Sequence, residues 1–271
     1  MKAATFFILF VYLWGMALIG IMDSGAGGLS VFREIRKALP EERFIYFSDN
    51  AFCPYGEKTK EQILARCRSI VSMMVERGAE AVVIACNTAT GAAIAELRGE
   101  FPIPFIGMEP AVKPAALGTE SGVIGVLATA GTLSASKYLA TRGRFEDDVR
   151  IEEHVGKGFV ELVENCELGG PKAEAIVRAS LRPLLDAGAD TIVLGCTHYP
   201  FLLPVMEKVA RELQPDRSIR FIDPAPAVTR QLVNVLSSRG IAMTDPEPGV
   251  ELISSGPSAT LERLFNEHCN I

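Results

Sequence analysis

The chain has 271 residues, 48% of them hydrophobic and 22% charged, with a formal net charge of −6. That length and balance suit one large or two modest packed domains, and the acidic excess argues against a general nucleic-acid surface, which relies on clustered lysine and arginine. The six cysteines, at 53, 67, 86, 166, 196 and 269, form neither CxxC pairs nor a dense disulfide scaffold, so reduced thiols in a cytoplasmic protein are expected.

Residues 3–22 are an uncharged run behind Lys2, long enough to span a bilayer and similar to a signal sequence with Gly15-Met16-Ala17 as a poor cleavage site. The same run ends in the first expected strand, Ala17 to Met22, which delivers Asp23; one segment does not easily do both. Three readings stay open: a translation start at Met16, which makes residues 1–15 an artefact, a short apolar extension, or an export or anchor signal. No stable membrane association is expected unless that segment is real. Trp14 is the only Trp, so native protein lacking indole fluorescence indicates the later start.

Asp23-Ser24-Gly25-Ala26-Gly27-Gly28 is a tight strand-to-helix turn. Its glycines permit close backbone approach, and the first N–H groups of the next helix, Leu29 to Leu39, suit an anion. Ser30 stands where a dinucleotide fingerprint needs its third glycine and GK[ST] is absent, so cofactor binding is not indicated. Taken alone, Asp23 and Ser24 read first as helix caps. A second strand, Arg43 to Phe47, leads to a loop, Ser48 to Lys58, whose turn formers and position mark it for specificity. Tyr55 there reads as a specificity or packing residue, and Cys53, with no base beside it in sequence, as incidental. Helix Lys60 to Arg77 aligns Ile63, Leu64, Cys67, Ile70, Val71 and Met74, which makes Cys67 core.

Segment Gly78 to Thr88, GAEAVVIACNT, opens Gly-Ala-acid, continues as a buried strand, Ala81 to Ala85, and ends in Cys86. Helix Gly91 to Arg98 follows, with Asn87 or Thr88 at its amino end. A thiol there has its thiolate favoured by the helix dipole, although a lone cysteine reads first as packing. Proline-rich residues 101–104 and 108–114 look like a crossover. A second unit opens with strand Gly122 to Leu127 and then Ala128-Thr129-Ala130-Gly131-Thr132, where hydroxyls replace the acid of the first. Residues 142–150 read as charged surface. A helical region starts at Phe159, with Glu161 and Glu164 exposed by default or orienting a histidine, and Cys166 ends it. Pro171 to Ala187 is a helix stopped by Gly188.

Gly188 to Pro200, GADTIVLGCTHYP, repeats the plan of the first cysteine segment, with strand Thr191 to Gly195 before Cys196. Thiol, hydroxyl and imidazole then fall within three residues, and Pro200 opens a helix. Cys196 and His198 alone make a poor zinc site, with His154 and His268 adding no clear partners; a Cys–His nucleophile leaves Cys86 unexplained. Ile19-Gly20-Ile21-Met22 before Asp23 likewise resembles Ile124-Gly125-Val126-Leu127 before Ala128, at nearly the same spacing. Two similar parallel-sheet α/β units with a pseudo-twofold relation are the economical reading. Ligands of such sheets bind outside the carboxyl ends of the strands, so two thiols point into one cleft from opposite sides. Residues 223–226 look like a second crossover; helix Val228 to Ser238, strand Val250 to Ser254 and helix Ser258 to Glu267 close the chain before Cys269.

Read together and in order, IGIMDSGAGGLSVFREI, DNAFCPYGEKT, VVIACNTAT and VLGCTHYPFL resemble the cofactor-independent aspartate/glutamate racemase family, in particular the glutamate racemases of bacterial cell-wall synthesis. The resemblance covers residues 16–271. It implies a first α/β domain, residues 16–114 and 226–271, a second, residues 115–225, an active site between them and no cofactor or metal. Carried over by motif, Cys86 and Cys196 are the two catalytic bases, acting on D- and L-glutamate respectively, with Asp23 and His198 assisting proton transfer. Ser24, Tyr55, Gly56, Asn87, Thr88 and Thr197 bind the amino acid, joined by Thr129 and Thr132, and Glu164 supports the histidine. One departure is that the Cys-Pro usual ahead of the Val-Glu pair is replaced around Lys157-Gly158. The resemblance also implies a cytoplasmic homodimer that takes L- and D-glutamate and supplies D-glutamate for peptidoglycan. A racemase of aspartate or another amino acid shares both cysteines and stays open, as does a non-catalytic amino-acid-binding or regulatory protein of the same fold.

Overall fold

The computed structural model describes residues 17–241 and 248–269; the three readings of the amino terminus, with the Trp14 and Met16 arguments, lie outside the described residues. Among the described residues, nine strands form two sheets in which every pairing is parallel. The first sheet has the order β4-β3-β1-β2-β9, from β1 (Leu18–Asp23), β2 (Arg43–Ser48), β3 (Ala79–Ile84), β4 (Phe105–Gly107) and β9 (Gly249–Ser254). The second has the order β6-β5-β7-β8, from β5 (Val123–Ala128), β6 (Arg150–Val155), β7 (Thr191–Gly195) and β8 (Arg220–Ile222). Without β9, both sheets wind as second-first-third-fourth. The echo in the sequence is thus structural: β1 corresponds to β5 and β3 to β7, and β9 adds one strand outside β2.

Central strands are buried on both faces, which is why they read as unbroken apolar runs: all six residues of β1 and all five of β7 are buried. The helices that cover them are α1 (Leu29–Ala38), α2 (Lys60–Glu76), α3 (Asn87–Glu100), α4 (Val112–Gly118), α5 (Ala130–Leu133), α6 (Ser136–Arg142), α7 (Phe159–Glu164), α8 (Gly170–Asp186), α9 (Leu203–Leu213), α10 (Ala225–Arg239) and α11 (Ala259–His268). A capping box starts α2: the Thr59 hydroxyl accepts from the Gln62 N–H and the Gln62 side chain accepts from the Thr59 N–H. Its predicted face, Ile63, Cys67, Ile70, Val71 and Met74, is buried, with Leu64 half-buried beside it.

Three strands were not expected. β4, which follows Pro102 and Pro104, and β8 are each only three residues long, too short for a periodicity to register. β6 begins where the charged surface of 142–150 ends; as an edge strand with half-exposed residues it keeps Arg150, Glu152 and Glu153, charges that discourage further pairing. The largest core cluster takes residues from both units, among them Ile19, Phe32 and Tyr46 from the first and Phe159, Leu194 and Tyr199 from the second. Phe32 on α1 packs its ring edge-on against Phe44 of β2 at 5.3 Å and stacks with Phe265 of α11 at 6.0 Å. Chain-terminal α11 is thereby tied to the first unit. Among the described residues no helix is long and apolar enough to cross a membrane.

Candidate active site

In each sheet the winding reverses between the first and third strands, and ligands of open parallel sheets bind outside the carboxyl ends at that switch point. β1 delivers Asp23 and Ser24 there and β3 delivers Cys86; β5 delivers Thr129 and β7 delivers Cys196. The two switch points share one cavity of about 290 Å³. Ser24, Cys86, Asn87 and Thr88 line it from the first unit, and Thr129, Thr132, Cys196, Thr197 and His198 from the second, with Tyr55 and Gly56 from the loop after β2. Among the described residues that line it, His198 is the one whose ordinary pKa lies closest to neutrality.

Cys86 is the N-cap of α3, its sulfur accepting the Ala89 N–H at 3.4 Å while its thiol donates to the Ser24 hydroxyl at 3.6 Å. This contact extends the helix back from the expected Gly91. The helix-dipole argument also fails in sign: burial pushes the Cys86 thiol well above its usual range and the Asp23 charge adds to the rise, outweighing the Ala89 N–H and Ser24. The proton therefore stays on Cys86 at neutrality.

Asp23 is fully buried behind the cavity, its Oδ2 accepting N–H bonds from Gly25 at 3.2 Å and Gly28 at 2.9 Å. Thr197 donates its hydroxyl to Asp23 Oδ1 at 3.4 Å across the units. Burial raises the carboxyl's pKa, opposed by His198 and by the two N–H groups. The turn glycines serve approach rather than anion binding. A Cβ on Gly27 would lie 2.3 Å from His198 Nδ1 and one on Gly25 2.1 Å from Glu164 Oε1, while the N–H groups of Gly25, Ala26 and Gly28 are taken by Asp23 and Glu164. Asp23 thus braces the turn and backs the cavity, but neither it nor Ser24 caps α1, as residue type had suggested: the N-cap is Gly28, with no side-chain cap hydrogen bond.

On the opposite side, the Cys196 sulfur lies 3.7 Å from His198 Nδ1, and His198 Nε2 lies 2.7 Å from Glu164 Oε1. Burial works against the imidazolium, but hydrogen bonding to Cys196, Cys53 and Glu164 holds the His198 pKa well above its usual value. Burial likewise pushes Glu164 up, yet His198 and the Ala26 N–H outweigh it and keep the carboxylate low. Imidazolium and carboxylate form a part-buried ion pair at neutral pH.

The remaining site residues are hydroxyls and amides. Thr88 meets Thr129 at 3.0 Å and Thr129 meets Thr132 at 2.9 Å, a cluster that joins the units. Asn87 is 5% exposed, and neither its Oδ1 nor its Nδ2 has a partner, a donor and acceptor left for a ligand. Tyr55 lines the cavity but commits its hydroxyl elsewhere, donating at 2.5 Å to Asp49, which Arg66 grips through two bonds of 2.7 and 2.9 Å. All thirteen residues named from the sequence thus converge: eleven line the cavity, and Asp23 and Glu164 stand directly behind it. Reading the sequence missed Pro54 and Val160 in the lining, and Cys53, which lies against His198 rather than being incidental. The clue for Cys53 and Pro54 was their place in the loop that presents Tyr55 and Gly56; for Val160 there was none.

The Asp/Glu/hydantoin racemase family model matches residues 19–232. The chain is 46% identical over 260 residues to the glutamate racemase of Ectopseudomonas mendocina, covering 94% of this chain and 97% of that one. It is 47% identical over 250 residues to the glutamate racemase of Pseudomonas aeruginosa, covering 92% of each. Among solved structures, Escherichia coli glutamate racemase in complex with L-glutamate and the activator UDP-MurNAc-Ala superposes with a TM-score of 0.81 at 33% identity, over 94% of this chain and 96% of that one. The RacE1 isoform from Bacillus anthracis gives 0.80 at 31%, over 93% of each. With two matching α/β units, a shared cavity at their strand ends and this likeness along nearly its whole length, the chain belongs to the Asp/Glu/hydantoin racemase family.

Proposed function

We propose that the protein is a glutamate racemase that inverts Cα by proton transfer between two cysteines. The observation that carries this reading is the placement of Cys86 and Cys196, one from each repeated unit, on a single cavity. Inversion removes the α-proton from one face and returns one to the other, and two opposed groups do this without the substrate turning over. Thiols suit the task, their ordinary pKa of about 8.5 allowing one to be charged and the other protonated near neutrality.

In the L to D direction a Cys196 thiolate, beside the His198 imidazolium, takes the α-proton, and Cys86, which keeps its proton, delivers it to the opposite face. Afterwards Cys86 is the thiolate and Cys196 the thiol, so the D to L direction runs the same steps in reverse. Asp23, behind Cys86, assists proton movement on that side, as the Glu164-supported His198 does on the other. The hard step is the carbanion. Asn87, with both polar atoms free, together with Ser24, Thr88 and Thr197, holds the α-carboxylate where charge develops; Thr129, Thr132 and Gly56 complete the pocket, and Tyr55 shapes it. Each proton transfer uses only groups of this chain.

The proposal extends to a cytoplasmic homodimer that supplies D-glutamate for peptidoglycan, with domain limits near residues 115 and 226. Light scattering that gives a monomer at working concentration would remove the dimer. The test of activity is optical rotation of purified protein with L-glutamate, alongside L-aspartate. Inversion of glutamate, lost in Cys86→Ala and in Cys196→Ala, supports the reading; inversion of aspartate alone reassigns the substrate, and binding without inversion leaves a binding protein.

A further inference from the structure

Cys53, Glu164 and His198 meet in an arrangement that the proton-transfer steps do not need. Cys53 stands in the loop after β2 of the first unit; Glu164 ends α7 and His198 follows β7 in the second. One ligand atom from each, a thiol sulfur, a carboxylate oxygen and a ring nitrogen, all lie within 4.8 Å of one another. These are the three donor types that zinc takes, and a tetrahedral zinc holds such atoms roughly 3.5 Å apart, a spacing not far inside the 4.8 Å within which the three already lie. Glu164 and His198 are already in contact at 2.7 Å.

Two further features suit a bound ion. Cys53 and Glu164 are part-exposed whereas His198 is 2% exposed, which leaves an entry path and a solvent-side position for a fourth ligand. Gly25 keeps the donors together: a Cβ there would lie 2.1 Å from Glu164 Oε1 and 3.1 Å from Cys53 Sγ. The requirement for glycine at this position is thus also what leaves the ligand atoms side by side.

We propose that Cys53, Glu164 and His198 form an inhibitory site for a thiophilic divalent cation, zinc foremost, which clasps the two units together and withdraws His198 and Glu164 from proton transfer. On binding, the Cys53 thiol and the liganding His198 nitrogen release their protons to solvent, and the metal–sulfur and metal–nitrogen bonds take their place. The existence of the site is independent of the racemase reading; its inhibitory effect rests on it.

Cobalt(II) in place of zinc reports the site directly, because a thiolate ligand gives an intense charge-transfer absorption. The protein should bind one equivalent with that absorption, and racemisation should fall as zinc is added and recover with a chelator. Cys53→Ala and Cys53→Ser should lose the absorption and need at least ~10-fold more zinc for half-inhibition, each measured against that variant's own metal-free rate. Glu164→Gln should weaken the absorption, a reading that stands even where a Cys53 variant does not fold. Absorption and inhibition unchanged in both folded Cys53 variants would place the metal on Cys86 or Cys196 and overturn the proposal, as would failure of the parent protein to bind cobalt. A wrong substrate assignment would leave the cobalt reading intact.

Discussion

His198 Nε2 lies 2.7 Å from Glu164 Oε1, and that same oxygen accepts the Ala26 N–H at 2.8 Å. One carboxylate therefore joins the histidine of the second unit to the glycine turn of the first. Glu164→Gln keeps a hydrogen-bonding group but removes the carboxylate, which with Cys196 and Cys53 is one of the partners whose hydrogen bonds raise the His198 pKa. Racemisation should fall by about 10- to 100-fold, and the alkaline limb of the pH–rate profile should move to lower pH, because the imidazolium deprotonates earlier. A profile that falls in height without moving would assign Glu164 a packing role.

The same pair makes a stability prediction whose sign is fixed. The native His198 pKa is raised above its ordinary 6.5, so its contribution is full below about pH 6.5 and is lost as pH rises through the raised native value. The native Glu164 pKa is lowered from 4.5, so its contribution is present above about pH 4.5 and is lost as pH falls through the lowered native value. Urea midpoints of parent and Glu164→Gln should differ most between those limits and converge as the solution becomes alkaline.

Asn87 spends nothing on the free fold, since its buried Oδ1 and Nδ2 are unpartnered. Asn87→Ala should lose ~1–3 kcal/mol of substrate or transition-state binding, about 5- to 150-fold in kcat/KM, with an unchanged or slightly higher melting temperature. A large loss of stability with intact kinetics would contradict a ligand-facing role.

Gly27→Ala places a Cβ 2.3 Å from His198 Nδ1, so the imidazole must leave its place between Cys196 and Glu164. The expected result is a loss of kcat of about 100-fold or more in a chain that still folds, as circular dichroism and size-exclusion chromatography would report.

Arg66 acts at a distance from the cavity. Its two bonds hold buried Asp49, which accepts the Tyr55 hydroxyl, and its guanidinium lies 4.0 Å over the Phe52 ring. Arg66→Met leaves that carboxylate without its cation and should cost ~2 kcal/mol in denaturant unfolding, below the value for a fully buried pair because Arg66 is 30% exposed. KM should rise with it as the loop carrying Tyr55 and Gly56 loosens; unchanged KM would confine the network to stability.

The parts of this fold carried by repetition were legible in the sequence. GAEAVVIACNT and GADTIVLGCTHYP announce themselves because β3 and β7 are buried on both faces and end at equivalent positions in two sheets of the same winding. Of the edge strands only β9 was legible, as Val250 to Ser254: β6 keeps charges and β4 and β8 have three residues each, so these carry no apolar period that marks a strand. The thirteen site residues were named by motif, but their charge states were not. The dipole at the α3 N-terminus is visible in the sequence, whereas the burial that overrides it at Cys86 comes from packing among residues scattered along the chain. The place of Cys53 was hidden for a similar reason, its neighbours His198 and Glu164 being far away along the chain.

The central claim is that two thiols act from opposite faces, and the most direct measurement follows the α-hydrogen during the first few per cent of conversion of L-glutamate in heavy water. Two opposed bases predict D-glutamate that carries solvent deuterium from the first molecules formed, while the recovered L-glutamate stays unlabelled. Substrate-derived hydrogen transferred to the D-product would show that one group serves both faces, and would contradict the account.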